Sequence, residues 1–100
     1  MMIVLIMQVS KNNPEFEIAS ANAITLLAAI GQALSNIDLS HCYFSNAVID
    51  GLTMMNVDMS NSVCRQVSMR NINASNCIFD HSDFTDATLG LSTLRDKYGD

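Results

Sequence analysis

Positive charge is scarce in this chain: five lysines and arginines stand against ten aspartates and glutamates in 100 residues, a formal net charge of −5. Such a surface repels nucleic acid and suits a basic protein partner, so direct nucleic-acid binding is not expected. Glycine is sparse as well. Gly31, Gly51, Gly90 and Gly99 form no phosphate-cradling loop. The apolar run Met2–Met7 is far too short to span a bilayer, and no basic residue precedes it. Neither a membrane helix nor a signal peptide is therefore expected, and the expected location is cytoplasmic. Three cysteines, an odd number without metal-ligand spacing, argue for reduced thiols and against a zinc site.

A period of five residues is what the chain does have. From Ile37 to Leu91 it reads IDLSH, CYFSN, AVIDG, LTMMN, VDMSN, SVCRQ, VSMRN, INASN, CIFDH, SDFTD, ATLGL. The third position is apolar in every block, from Leu39, Phe44 and Ile49 through Phe79, Phe84 and Leu89. At this chain's apolar content, chance would give that in one frame on the order of once in a few thousand. The first position is small or branched throughout, and the second, fourth and fifth are mostly Asp, Asn, Ser and Thr. Neither a helix, with its period of 3.6, nor a plain strand, with its period of 2, produces this pattern. A chain that turns a corner after every short extended piece does. Such a chain coils, and each coil buries its inward side chains against its neighbours.

The pattern resembles the pentapeptide repeat proteins, whose consensus is a small residue, Asp or Asn, Leu or Phe, then two mostly polar residues. The resemblance implies a mainly β fold, a right-handed quadrilateral β-helix in which four blocks make one coil and residues 20 apart stack. The eleven blocks would make about 2.75 coils. Stacking Leu39, Met59 and Phe79, or Phe44, Cys64 and Phe84, alternates large and adaptable side chains as a narrow interior requires. Cys42, Cys64 and Cys77 all fall on inward positions, as buried thiols do. On the outside, Asp50 falls under Arg70 as an ion pair, Asn56 under Asn76 as an amide ladder, and Asp38 under Asp58 as two repelling carboxylates about 5 Å apart.

Flanking segments are expected to cover the open ends of a short solenoid. Met2–Val9 reads as a buried-type strand that pairs with Glu15–Ala19 as a hairpin. A helix starting at Pro14 with Asn13 as its cap competes with that reading. Ala21–Ser35 reads as an amphipathic helix capped by Ser20 or Asn22. The organisation is thus residues 1–36 as strand or hairpin plus capping helix, 37–91 as repeat, and 92–100 as a C-terminal cap or tail, possible site of homodimer contact.

No catalytic constellation accompanies the repeat. His41 and His81 share a column with Asn61 between them, roughly 10 Å apart, too far to hold one metal ion. Ser40 beside His41 has no orienting carboxylate and makes no nucleophile. No cofactor and no enzymatic activity are implied. What remains is shape and charge: six aspartates of the repeat against Arg65 and Arg70. Some pentapeptide repeat proteins look like duplex DNA and occupy the DNA groove of topoisomerases. The resemblance therefore implies an acidic DNA-mimicking inhibitor of a DNA-handling protein with a basic groove. Asp38, Asp58, Asp80, Asp83 and Asp86 would stand in for phosphates, with Tyr43 and Met55 as outward apolar anchors. A rod of about 13 Å reaches only roughly four base pairs, so a short-motif reader fits better than a gyrase-type groove. The motif beside a CRISPR target is such a site, which makes an anti-CRISPR-like phage inhibitor the concrete form. The alternative is an interaction scaffold or secreted bacterial effector module with no DNA-related target.

Overall fold

The computed structural model describes residues 2–90. Two helices come first, α1 (Met2–Gln8) and α2 (Glu17–Ala29), with a 3-10 turn at Pro14–Phe16 leading into the second. Three short strands follow, β1 (Leu34–Ser35), β2 (Thr53–Met55) and β3 (Asn73–Ser75), paired in parallel in the order β1-β2-β3.

The five-residue frame controls the rest. Leu34 pairs with Met54 and Met54 with Ala74. Asp38, Asp58 and Ile78 form a second ladder, Tyr43, Val63 and Asp83 a third, Val48, Ser68 and Thr88 a fourth. Every partner lies 20 residues on, so four ladders make one coil. The first block is Gln32–Asn36, one earlier than the Ile37 start read from the sequence, and the solenoid completes three coils rather than 2.75.

Each corner has a simple cause. At the corners before Ala47, Leu52, Ser62, Ser82 and Ala87 the first-position N–H bonds back to the third-position carbonyl of the preceding block, as Ala47 does to Phe44 at 3.1 Å. Between them the fifth residue adopts positive φ, from His41 at 59° through Asn46 at 69° and Gly51 at 79° to Asp86 at 58°. That is the requirement of a type II turn, which needs a left-handed residue at its third position. Asn, Asp, His and Gly tolerate this backbone better than other residues, and they fill nearly every corner. Gln66 at 60° is the exception. Between corners, Leu39, Phe44, Ile49, Met54, Met59, Cys64, Met69, Phe79 and Leu89 are buried, as the third position requires. Phe79 and Phe84 meet at the far end with ring centroids 5.8 Å apart.

The N-terminal third departs from the expected strand and hairpin. Met2–Val9 is rich in β-branched residues, which favours a strand locally. Its tertiary partner is a helix, however, and a helical α1 sets Ile3 and Met7 one turn apart against the core while Leu5 and Ile6 face out. The competing start at Pro14 is the one adopted. Proline at the first helical position needs no N–H there, although the Asn13 side chain makes no capping bond. The second helix spans 17–29 instead of 21–35, and it is not amphipathic, since Ile18 and Leu26 lie on its exposed side beside Asn22. Ser20 lies inside it, fully buried, so it caps nothing. Its hydroxyl instead accepts the Ser10 N–H and bonds the Ile6 and Met7 carbonyls, tying α1 to α2. Gly31, at φ 75°, ends the helix in the left-handed state and is in phase with the corners that follow.

These helices close the first coil, whose strand edge has no preceding coil to bond. Ser10 Oγ meets both the N–H and the carbonyl of Tyr43. Gln8 donates to the Asp38 carbonyl, the Asn12 N–H to that of His41, and Lys11 to that of Ser40. Glu17 accepts the Ser45 N–H and Thr25 the Val48 N–H. Side chains and the Asn12 backbone N–H thus stand in for the missing coil, which covers the edge that would invite further strands. The expected C-terminal cap at 92–100, and a dimer contact through it, lie outside the described residues. Among the described residues no helix is long and apolar enough to cross a membrane.

Candidate interaction surface

The four ladders give the solenoid four outer faces of unequal charge. The face containing β1, β2 and β3 has no charged residue in blocks 32–36, 52–56 and 72–76. The next carries Asp38, Asp58 and Asp80, the third Arg65, Asp83 and Asp86, the fourth Asp50 and Arg70. The five expected phosphate stand-ins are therefore not one cluster. Three share a face, and Asp83 and Asp86 lie on the adjoining one. Asp80 and Asp83 flank the corner at His81.

Three of these aspartates also serve the fold. Asp38, Asp58 and Asp83 occupy second positions, and each Oδ1 accepts the N–H and the hydroxyl of the residue two places on: Ser40, Ser60 and Thr85. This Asp-x-Ser/Thr bridge stiffens the extended segment just before the corner. It was visible in the sequence as a spacing, though not as a bond. Ser40's hydroxyl and N–H, helped by the Lys11 ammonium, hold the Asp38 carboxyl down at about 2. Thr85 lowers that of Asp83, with Arg65 adding a smaller pull. Lys11 lies 3.3 Å from Asp38 and Arg65 3.9 Å from Asp83. Two of the five carboxylates therefore already have a cation.

Asp38 and Asp58 stack in register as expected. The repulsion is relieved on one side by Lys11, a residue from the helical lid that the repeat pattern could not reveal. Asp50 departs from expectation: it accepts the Ser68 hydroxyl and the Arg70 backbone N–H, not the Arg70 guanidinium. The amide ladder forms one coil earlier than expected, from Asn56 to Asn36 at 3.1 Å. Tyr43 is half-buried beneath the lid and Met55 is exposed, on different faces, so the two do not make one anchor.

His41 and His81 are exposed corner residues. Burial pushes the thiol of Cys64 up to about 12 and raises those of Cys42 and Cys77. All three cysteines are free. Among the described residues, no group of His, Cys, Asp or Glu could hold a metal ion. Among the described residues, the lid borders a polar cleft of about 260 Å³ lined by Glu17, Ser45, Asn46, Arg65 and Gln66, and carries an apolar groove of about 480 Å³ lined by Leu5, Ile6, Val9, Phe16 and Ala19. The apolar groove was missed from the sequence, because its lining residues were read as the two strands of a hairpin and not as the surface of two packed helices.

Comparison with known proteins bears on the repeat. The family described as Pentapeptide repeats (8 copies) matches residues 30–61 and again 58–96. No curated protein and no solved structure matches the chain significantly. The family match spans most of the chain and covers the residues of all four ladders. The chain belongs to the pentapeptide repeat family.

Proposed function

We propose that the chain is a non-catalytic protein-interaction module: a short right-handed β-helix of square cross-section whose acidic face engages a basic patch on another protein. The observation that carries this reading is the segregation of charge. Asp38, Asp58 and Asp80 share one face while the neighbouring β1-β2-β3 face has none. Charge collected on one flat wall steers a partner of opposite sign. Family membership supports an interaction role over a catalytic one.

A finer reading, a DNA-mimicking inhibitor, is favoured by the in-register stack of Asp38 on Asp58. Magnitudes limit its reach. Three coils at about 4.8 Å spacing rise roughly 14 Å, over which duplex DNA presents about eight phosphates. This face offers three aspartates, one already paired with Lys11. It can replace only a few base pairs. That restricts a DNA-reading target to a short-motif site, such as the reader of the motif beside a CRISPR target.

The test is affinity capture from bacterial lysate at about 50 and 500 mM salt, with and without nuclease. The control is a chain carrying Asp58→Asn, Asp80→Lys and Asp83→Asn. Asparagine keeps the turn-bridging oxygen and removes the charge, so the fold survives. The module reading expects a partner whose capture weakens in high salt and with the altered chain. Capture unchanged by both sinks the acidic face. Competition by a short duplex singles out DNA mimicry, and its absence leaves the general module.

A further inference from the structure

The polar cleft where the lid meets the third face is lined by two opposite charges that do not meet. Glu17, half-buried at the start of α2, gives one carboxylate oxygen to the Ser45 N–H at 2.9 Å. Arg65 comes from the second coil, where its Nε stands 3.9 Å from Asp83, a loose contact by a side chain 60% exposed. Among the described residues no ion pair joins Glu17 to Arg65, although both line the same space of about 260 Å³.

Ser45 adds a second, independent observation. Its Oγ is closed to solvent and has no hydrogen-bond partner, the one such side-chain atom among the described residues. Buried polar atoms are almost always paired, so an orphan on the wall of a polar cleft calls for a partner from outside the chain. A change of χ1 rotamer is enough to present that oxygen to the cleft.

We infer that this cleft binds a free α-amino acid with a small polar side chain, its ammonium on the Glu17 carboxylate and its carboxylate on the Arg65 guanidinium. Charge selects for a zwitterion. A simple anion would face Glu17 and a simple amine would face Arg65, so only a molecule carrying both ends suits both walls. The guanidinium fork matches a carboxylate with two parallel bonds, each about twice as strong as a neutral hydrogen bond. The Ser45 hydroxyl and the amides of the corner residues Asn46 and Gln66 are left for the ligand's side chain. Size sets the limit: the cleft is smaller than the roughly 300–1,000 Å³ of drug-sized pockets, which suits one amino acid and not a peptide. Because Glu17 belongs to the lid and Arg65 to the solenoid, the ligand ties one to the other. This site is separate from the Asp38, Asp58 and Asp80 face.

Amide resonances of the full isotope-labelled chain, followed by nuclear magnetic resonance during titration with L-serine to about 20 mM, test this. Saturable shifts are expected at Ser45, Asn46 and Gln66, half-complete below about 5 mM. N-acetyl-L-serine, which lacks the ammonium, and L-serinamide, which lacks the carboxylate, are each expected to bind at least about tenfold more weakly. Glu17→Gln keeps an oxygen for the Ser45 N–H, and Arg65→Gln alters an exposed side chain, so both should fold, which thermal unfolding checks. Each is expected to weaken L-serine binding at least about tenfold. Shifts that do not saturate or that map elsewhere, single-ended analogues that bind as well as L-serine, or binding unchanged in either variant each overturn the inference. The analogue comparison uses the unmodified chain and stands whether or not a variant folds.

Discussion

Gln66 is the weakest corner of the solenoid, and replacing it should make the protein more stable. It holds φ at 60°, where ten other fifth-position residues are Asn, His, Gly or Asp. A side chain in the left-handed region costs about 1–2 kcal/mol relative to glycine. Glycine in turn loses roughly 0.5–1 kcal/mol more backbone entropy on folding. The difference predicts that Gln66→Gly gains about 0.5 kcal/mol, and Gln66→Asn a similar amount. Gln66→Val, β-branched and ill suited to positive φ, should lose about 1 kcal/mol. No side-chain bond complicates the comparison, since Gln66 is exposed and its tie to the next coil is the backbone N–H donating to the Thr85 carbonyl at 2.8 Å. For a domain of this size 0.5 kcal/mol moves the melting temperature by about 2–4 °C. Thermal unfolding followed by circular dichroism resolves that shift. Equal melting temperatures for Gly and Val at this position would refute the claim that corner geometry, rather than interior filling, limits stability there.

Three further perturbations probe other links. Phe79, 1% exposed, sits inside the solenoid while Asp80 points out; Phe79→Asp should cost several kcal/mol and unfold the domain, whereas Asp80→Ala should stay within about 0.5 kcal/mol in urea titration. The folded-state pKa of Asp38, about 2, lies below its ordinary 3.8, so its contribution is present above 3.8 and is lost as pH falls to about 2. Asp38→Asn should flatten acid unfolding in that window, by a modest amount because the side chain is 62% exposed and screened by solvent. Ser10→Ala removes the hydroxyl that serves both the N–H and the carbonyl of Tyr43. Amide exchange at Tyr43 should then accelerate while Val63, bonded to the Cys42 carbonyl in the next coil, stays protected.

The repeat was legible because its signal is redundant: eleven blocks put an apolar residue in the same place, and a small one such as Ala74 does not break the frame. The corner chemistry was legible too, though it was read only as polarity. His41, Asn46, Gly51 and Asp86 share a tolerance of positive φ, and that common property is the reason for the fifth position. The lid was harder. Met2–Val9 has a strand's composition, and only contact with α2 makes it helical, so local preference lost to tertiary context. The Lys11 contact with Asp38 spans 27 residues, and no spacing rule within the repeat predicts it. The acidic site was partly legible for the same reason. Which aspartates exist is written in the chain, but which of them bridge a turn or meet a cation depends on the lid and the coil.

The claim that supports everything above is that residues 20 apart stand beside one another on four ladders. Nuclear Overhauser contacts in the isotope-labelled protein measure it directly. The structure calls for close backbone contacts of Asp58 with both Asp38 and Ile78, and of Val63 with both Tyr43 and Asp83. Contacts at that spacing on all four ladders would establish the coil and the separate faces that the functional reading depends on. Contacts at another spacing, or a ladder without them, would contradict it.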